Sequence, residues 1–190
     1  MTRLATNQDL DPRRLRDAFG TFPSGVVALA AEVDGRPVGL AASSFPSVSL
    51  DPPLVAVNLA VTSKTWPDLR RSAHLGVTVL ADHHAPVCRA LAGPVEQRFE
   101  DLAYTVTPEG AITLDDGLAS FDCTIYQEVE AGDHVLVLLR LHTVHQAEGT
   151  TGPLVFHRSG FGTLRTLVLG VARGKYVTFS TRGAVSASRT

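Results

Sequence analysis

Excess charge of one sign, cysteine and long apolar runs are all scarce in this chain, and each scarcity closes off a class of function. Seventeen Lys and Arg stand against nineteen Asp and Glu, a formal net charge of −2. That balance lacks the basic footprint of a nucleic-acid binder. The longest apolar runs, such as Val135–Leu139, fall far short of a membrane span. The first ten residues carry no apolar core of a secretion signal, and a cytoplasmic location is expected. The two cysteines, Cys88 and Cys123, have no C-x-x-C spacing and read as buried or half-buried free thiols of a reducing compartment. Several catalytic signatures are missing too. There is no P-loop and no G-x-S-x-G elbow, and Gly160-Phe-Gly162 is half of a dinucleotide fingerprint with no helix pattern after it. Seven histidines are present, yet no Cys/His cluster has zinc spacing, so no metal is expected.

What the chain does have is apolar material for one core: 44% of its 190 residues are hydrophobic. Residues 1–10 read as a loose arm. Asp11-Pro12 opens a helix with Asp as N-cap, and Leu15, Ala18, Phe19 and Phe22 give it an apolar face. Val26–Val33 then reads as a strand, Asp34-Gly35 as a hairpin turn and Arg36–Ala42 as the return. A short extended piece is expected at Val48–Leu50, and further strands at Leu54–Ala60, Leu75–Leu80, Ala119–Val129, His134–His145 and Leu154–His157. Short helices are expected at Pro67–Arg71, with Thr65 as a candidate N-cap, and from Asp82 to about Ala92. Six or seven strands with two or three short helices predict a mainly β, closed or partly open barrel over residues 11–165. Residues 166–190 carry Arg173, Lys175, Arg182 and Arg189 without an acidic residue. They read as a tail or as an arm that pairs with a second subunit.

Two segments hold chemistry. Ala41-Ala42-Ser43-Ser44-Phe45 follows a hairpin strand; small side chains there let a flat ring approach the backbone, and two hydroxyls can donate. Asn58-Leu-Ala-Val-Thr-Ser63-Lys64-Thr65-Trp66 lies between a strand and a helix. Hydroxyls, an ammonium and helix-start amides in that position suit a phosphate.

These segments, with others in the same order, resemble the short-chain flavin reductase family. The matching pieces are Leu15-Arg-Asp-Ala-Phe-Gly-Thr-Phe-Pro-Ser-Gly-Val-Val27 and Gly39-Leu-Ala-Ala-Ser-Ser-Phe-Pro-Ser-Val-Ser-Leu-Asp-Pro-Pro53. Then come Ser63-Lys-Thr65, Arg98-Phe99, Leu114-Asp-Asp-Gly-Leu-Ala119, Ala131-Gly-Asp-His134 and Pro153-Leu-Val-Phe-His157-Arg158. The resemblance implies an FMN-binding split β-barrel, a homodimer, and hydride transfer from NADH or NADPH to FMN or FAD. Reduced flavin would then go to a partner monooxygenase. It places cofactor contacts at Leu40, Ala41, Ala42, Ser43, Ser44, Phe45, Asn58, Leu59, Ser63, Lys64, Thr65, Arg98 and His157. His134 would orient the nicotinamide and act as the catalytic residue.

Two positions depart from the family pattern. Leu139 stands where relatives usually have glycine, and would either narrow the space over the flavin or pack the core. Ser159-Gly160-Phe161 replaces a Gly-Arg-Tyr continuation. They leave open an alternative: a protein that holds its flavin tightly and acts on an organic substrate.

Overall fold

Asp11 and Pro12 start the first helix as their chemistry requires. In the computed structural model, which describes residues 10–149 and 151–164, α1 (Pro12–Phe19) has Pro at its first position, and the Asp11 carboxylate accepts the Arg13 amide at 3.0 Å. The apolar face expected of α1 finds no core within the described chain. None of its residues is buried, and Phe19 and Phe22 lie exposed. The expected arm, Leu10 aside, and the tail over 166–190 lie outside the described residues.

Among the described residues twelve strands follow: β1 (Ser24–Gly25), β2 (Val27–Val33), β3 (Arg36–Ala42), β4 (Ser47–Leu50), β5 (Pro53–Ala60), β6 (Leu75–Val79), β7 (Tyr104–Val106), β8 (Ile112–Leu114), β9 (Ala119–Ala131), β10 (His134–Gln146), β11 (Leu154–His157) and β12 (Gly160–Thr163). Seven of them form one antiparallel sheet in the order β3-β2-β6-β9-β10-β5-β4. The Asp34-Gly35 turn joins β2 to β3 with φ of 53° and 72°, the left-handed pair that a two-residue hairpin needs. Arg71 secures it with a 2.9 Å bond to the Asp34 carboxylate.

The apolar run Val26–Ala31 that makes up most of β2 has a simple cause: both of its faces are covered, and only beyond it does Glu32 reach solvent. Val27, Leu29, Ala31 and Val33 enter the barrel interior with Val57, Leu75, Val77, Cys123, Val137 and Leu139. Val26, Ala28 and Ala30 face a second core made with Leu80, Leu91, Phe99, Ile112 and Leu154. Phe121, Cys123 and Ile125 share the barrel face, as their alternation predicts. β8 crosses β6 so closely that a Cβ on Gly76 would sit 1.9 Å from the Ile112 carbonyl oxygen.

The large sheet ends in β3 on one side and β4 on the other. Only residues 43–46 separate these two strands in sequence, so the chain itself brings the ends together. Across the seam, Ser44 substitutes for a ladder: its Oγ accepts the Asn58 amide at 2.9 Å and donates to the Asn58 carbonyl at 3.2 Å. The expected mainly β split barrel is therefore borne out.

Other expectations need correction. The helix from Asp82 is a 3-10 turn at Asp82–His84 followed by α3 (Ala85–Leu91). Pro86 has no amide hydrogen and is accommodated only in a first turn, so the α-helix starts there. The second helix, α2 (Trp66–Leu69), is one turn long, and Thr65 makes no capping bond. Ser63 takes the Trp66 amide instead, at 3.1 Å. The β7–β8 hairpin and β12 were not anticipated.

Candidate functional site

The seam opens into a cavity of about 920 Å³. The ends of β3 and β5 supply Leu40, Ala41, Ala42, Asn58, Leu59 and Ala60. Below them the β5–α2 loop adds Thr62, Ser63, Lys64 and Thr65. Leu91 and Ala92 at the end of α3, with Val95, form an apolar wall, and Arg98 sits among them. The β9–β10 turn contributes Ala131 and His134.

Twelve of the fourteen expected site residues thus meet in one place: Leu40, Ala41, Ala42, Ser43, Ser44, Asn58, Leu59, Ser63, Lys64, Thr65, Arg98 and His134. Phe45 does not line the cavity. It turns to the barrel core, its ring centroid 5.9 Å from that of Phe121, because an aromatic side chain gains more from burial there. His157 does not line it either. It ends β11 in the small β1-β11-β12 sheet, exposed and opposite Gly160. Ser44 lines the cavity, but its hydroxyl is used on Asn58, so its part is to hold the seam. The one-turn length of α2 leaves little helix dipole at residues 63–65. Hydroxyls and charge remain: Lys64 is exposed and makes no ion pair among the described residues.

The apolar wall of Leu91, Ala92 and Val95 was not anticipated. These side chains bear no reactive group, so no motif marks them, and only the fold brings them to the cavity.

Polar contacts fix several orientations. Arg98 donates through Nη1 to the Gly39 carbonyl and to Thr65 Oγ1, both at 2.8 Å, and through Nε to the Gly93 carbonyl at 3.0 Å. His134 Nδ1 lies 2.7 Å from the Asp133 carboxylate. The hydrogen bond from His134 holds the Asp133 carboxyl below the usual carboxylate range. A carboxylate only accepts, so Nδ1 carries a proton, and in the singly protonated ring Nε2 is left to accept. The backbone also locks the turn, with Val61 donating to the Asp133 carbonyl at 3.0 Å.

Leu139 is fully buried in the barrel core and lies outside the cavity lining. Of the two effects considered for it, core packing is the one seen. The altered Ser159-Gly160-Phe161 segment forms the β11–β12 hairpin, with Arg158 and Ser159 both at positive φ, 48° and 62°.

A profile described as a flavin reductase like domain matches residues 19–165. The chain belongs to this family. A probable flavin reductase of Rhizobium meliloti is 38% identical over 161 residues, which cover 84% of this chain and 51% of that protein. A flavin reductase of Pseudomonas putida is 36% identical over 166 residues, covering 85% of this chain and 97% of that one. The chain thus spans about half the length of the first relative and nearly all of the second. Other relatives are reductase components or subunits of flavin-dependent monooxygenases. Among solved structures, a Streptomyces globisporus NADH:FAD oxidoreductase, in complex with NAD and FAD fragments, superposes with a TM-score of 0.76. It is 26% identical, and the match covers 90% of this chain and 100% of that one. The flavin reductase resemblance and the split-barrel fold are both borne out. Among the described residues, no helix is long and apolar enough to cross a membrane.

Proposed function

We propose that this flavin reductase domain passes hydride from NADH or NADPH to FMN or FAD at the seam cavity and hands reduced flavin to a monooxygenase. The observation that carries the reading is the convergence of twelve anticipated residues, from four separate segments, on one cavity at the split of the barrel. The residues fit a flavin in kind. An apolar wall of Leu91, Ala92 and Val95 suits a flat ring, small Ala41 and Ala42 admit it, and Ser63, Lys64, Thr65 and Arg98 suit phosphate. When bound, the flavin supplies a hydride-accepting ring and the reduced nicotinamide supplies the hydride.

The protein's own share is alignment. His134, held by Asp133, offers Nε2 as an acceptor suited to a nicotinamide carboxamide. No protein base is needed for hydride transfer, so positioning is the main contribution. Relatives that serve as reductase components support a monooxygenase as the consumer of reduced flavin. A homodimer is part of the same reading. Phe19, Phe22 and Leu50 are 70%, 78% and 95% exposed in the single chain, an unusual state for large apolar side chains, and a second copy would cover them. His157 would reach a cofactor only across such an interface. The absence of a membrane-crossing helix among the described residues is consistent with a cytoplasmic location.

The test is absorbance at 340 nm with each pairing of NADH or NADPH with FMN or FAD. No turnover with any pair would end the reductase reading. A yellow protein after gel filtration that leaves NAD(P)H unoxidised would instead favour tightly held flavin used on an organic substrate.

A further inference from the structure

We propose that Arg98 is a positioning residue: it acts on the cofactor's phosphate through Thr65, by fixing the direction in which the Thr65 hydroxyl donates. The proposal rests on the flavin reading above. A hydroxyl has one proton to give and lone pairs that accept. The hydroxyls around the cavity use these capacities differently. Ser44 uses both on Asn58. Thr65 Oγ1 accepts a hydrogen bond from Arg98 Nη1 at 2.8 Å. A guanidinium cannot accept, so the Thr65 proton cannot lie along that contact. Thr65 is 6% exposed, lines the cavity, and makes no other side-chain hydrogen bond among the described residues. A buried hydroxyl whose proton is unspent at a cavity wall matches a group that only accepts, and a phosphoryl oxygen is such a group.

Arg98 does more than orient one hydroxyl. Its Nη1 also holds the Gly39 carbonyl of β3 at 2.8 Å, and its Nε holds the Gly93 carbonyl beyond α3 at 3.0 Å. Three walls of the cavity are therefore tied to one planar group. The planar fork sets their spacing, and a lysine ammonium cannot reproduce that pattern although it keeps the charge. Ser63 provides an internal contrast. Its Oγ is turned the same way by the Trp66 amide at 3.1 Å, with no involvement of Arg98.

The experiment is equilibrium binding of FMN and of FAD to the full chain, followed by quenching of flavin fluorescence. The proteins are wild type, Thr65→Val, Thr65→Ser, Arg98→Lys and the Thr65→Val/Arg98→Lys double variant. Thr65→Val should raise Kd about tenfold, the loss of one hydrogen bond to a charged group. Arg98→Lys should do at least as much. In the Arg98→Lys background, Thr65→Val should then cost less than about twofold, the signature of coupled residues. Thr65→Ser keeps the hydroxyl and should stay near wild type. An equal cost of Thr65→Val in both backgrounds overturns the proposal. So does wild-type affinity in Arg98→Lys, which would make charge alone sufficient, or a Thr65→Ser loss as large as that of Thr65→Val. Wild-type protein that binds neither flavin removes the flavin reading itself, and the proposal falls with it.

Discussion

Replacing Leu139 by alanine should cost the fold about 4 kcal/mol and leave flavin binding alone. Leu139 is fully buried, between Val55 on β5 and Ile125 on β9 in the ladder, within the barrel core. Removing three carbons forfeits about 2.4 kcal/mol at roughly 0.8 kcal/mol per buried methylene. The space left behind adds about 1–2 kcal/mol, because a core closed by paired strands collapses only in part. For a domain of this size that corresponds to a Tm drop of about 10 °C. Urea unfolding followed by Trp66 fluorescence measures the stability, and flavin fluorescence quenching measures Kd. The refuting result is unchanged stability with a several-fold change in flavin Kd. It would mean that the side chain faces the cofactor and that relatives' glycine at this position matters for flavin access.

Gly76→Ala should be more severe, above about 3 kcal/mol, since its Cβ would meet the Ile112 carbonyl at 1.9 Å and neither strand can yield cheaply; circular dichroism of the purified variant checks it. Ser159→Gly should stabilise by about 1 kcal/mol, because Ser159 sits at φ 62° in the two-residue β11–β12 turn; a Tm no higher than wild type would contradict this. Burial pushes the Cys123 thiol up to about 12, so it should resist alkylation at pH 8–9 in the native protein and react only on unfolding, as labelling with mass spectrometry would show. The sign for stability follows. The folded state keeps this proton when the unfolded state releases it, so the contribution is intact below pH 9 and is lost progressively between about pH 9 and 12. His134→Ala should raise the KM for NAD(P)H several-fold with a smaller change in kcat, since its role is to place the nicotinamide; steady-state kinetics with unchanged KM would remove that role.

Much of this was legible in the sequence because local chemistry and tertiary fold agree. Asp34-Gly35 specifies its turn, and Asp11-Pro12 its helix start. The alternation of Phe121, Cys123 and Ile125 marks one buried face. The cavity residues on β3, β5 and the loop after it were found as motif segments. What escaped notice depended on through-space partners. Thr65 looks like a helix cap in sequence, yet its hydroxyl meets Arg98, thirty-three positions away. Ser44 looks like a ligand and serves as a stitch. Phe45 looks like a ring contact and packs against Phe121, on a strand far along the chain. Leu91 and Val95 have only apolar surface to offer, so no spacing rule marks them as cavity lining. Pro86 is the local exception: its missing amide hydrogen fits only a first helical turn and so marks where α3 begins.

The Ser44 stitch has a kinetic consequence. Where β10 meets β5, parting the strands would break a run of backbone bonds at once. Beside β5, the link from β3 to β4 is held by the two Ser44 hydrogen bonds, together worth about 1–3 kcal/mol, by the Ala56 amide on the Pro46 carbonyl, and by the Arg98 tie between Gly39 and Thr65. Parting that joint would break these few bonds and no strand ladder. Few bonds close the barrel at this joint, so the residence time of whatever occupies the cavity should respond to substitution at position 44. Ser44→Ala should shorten that residence time, and the Asn58 amide, deprived of its acceptor, should exchange its hydrogen faster.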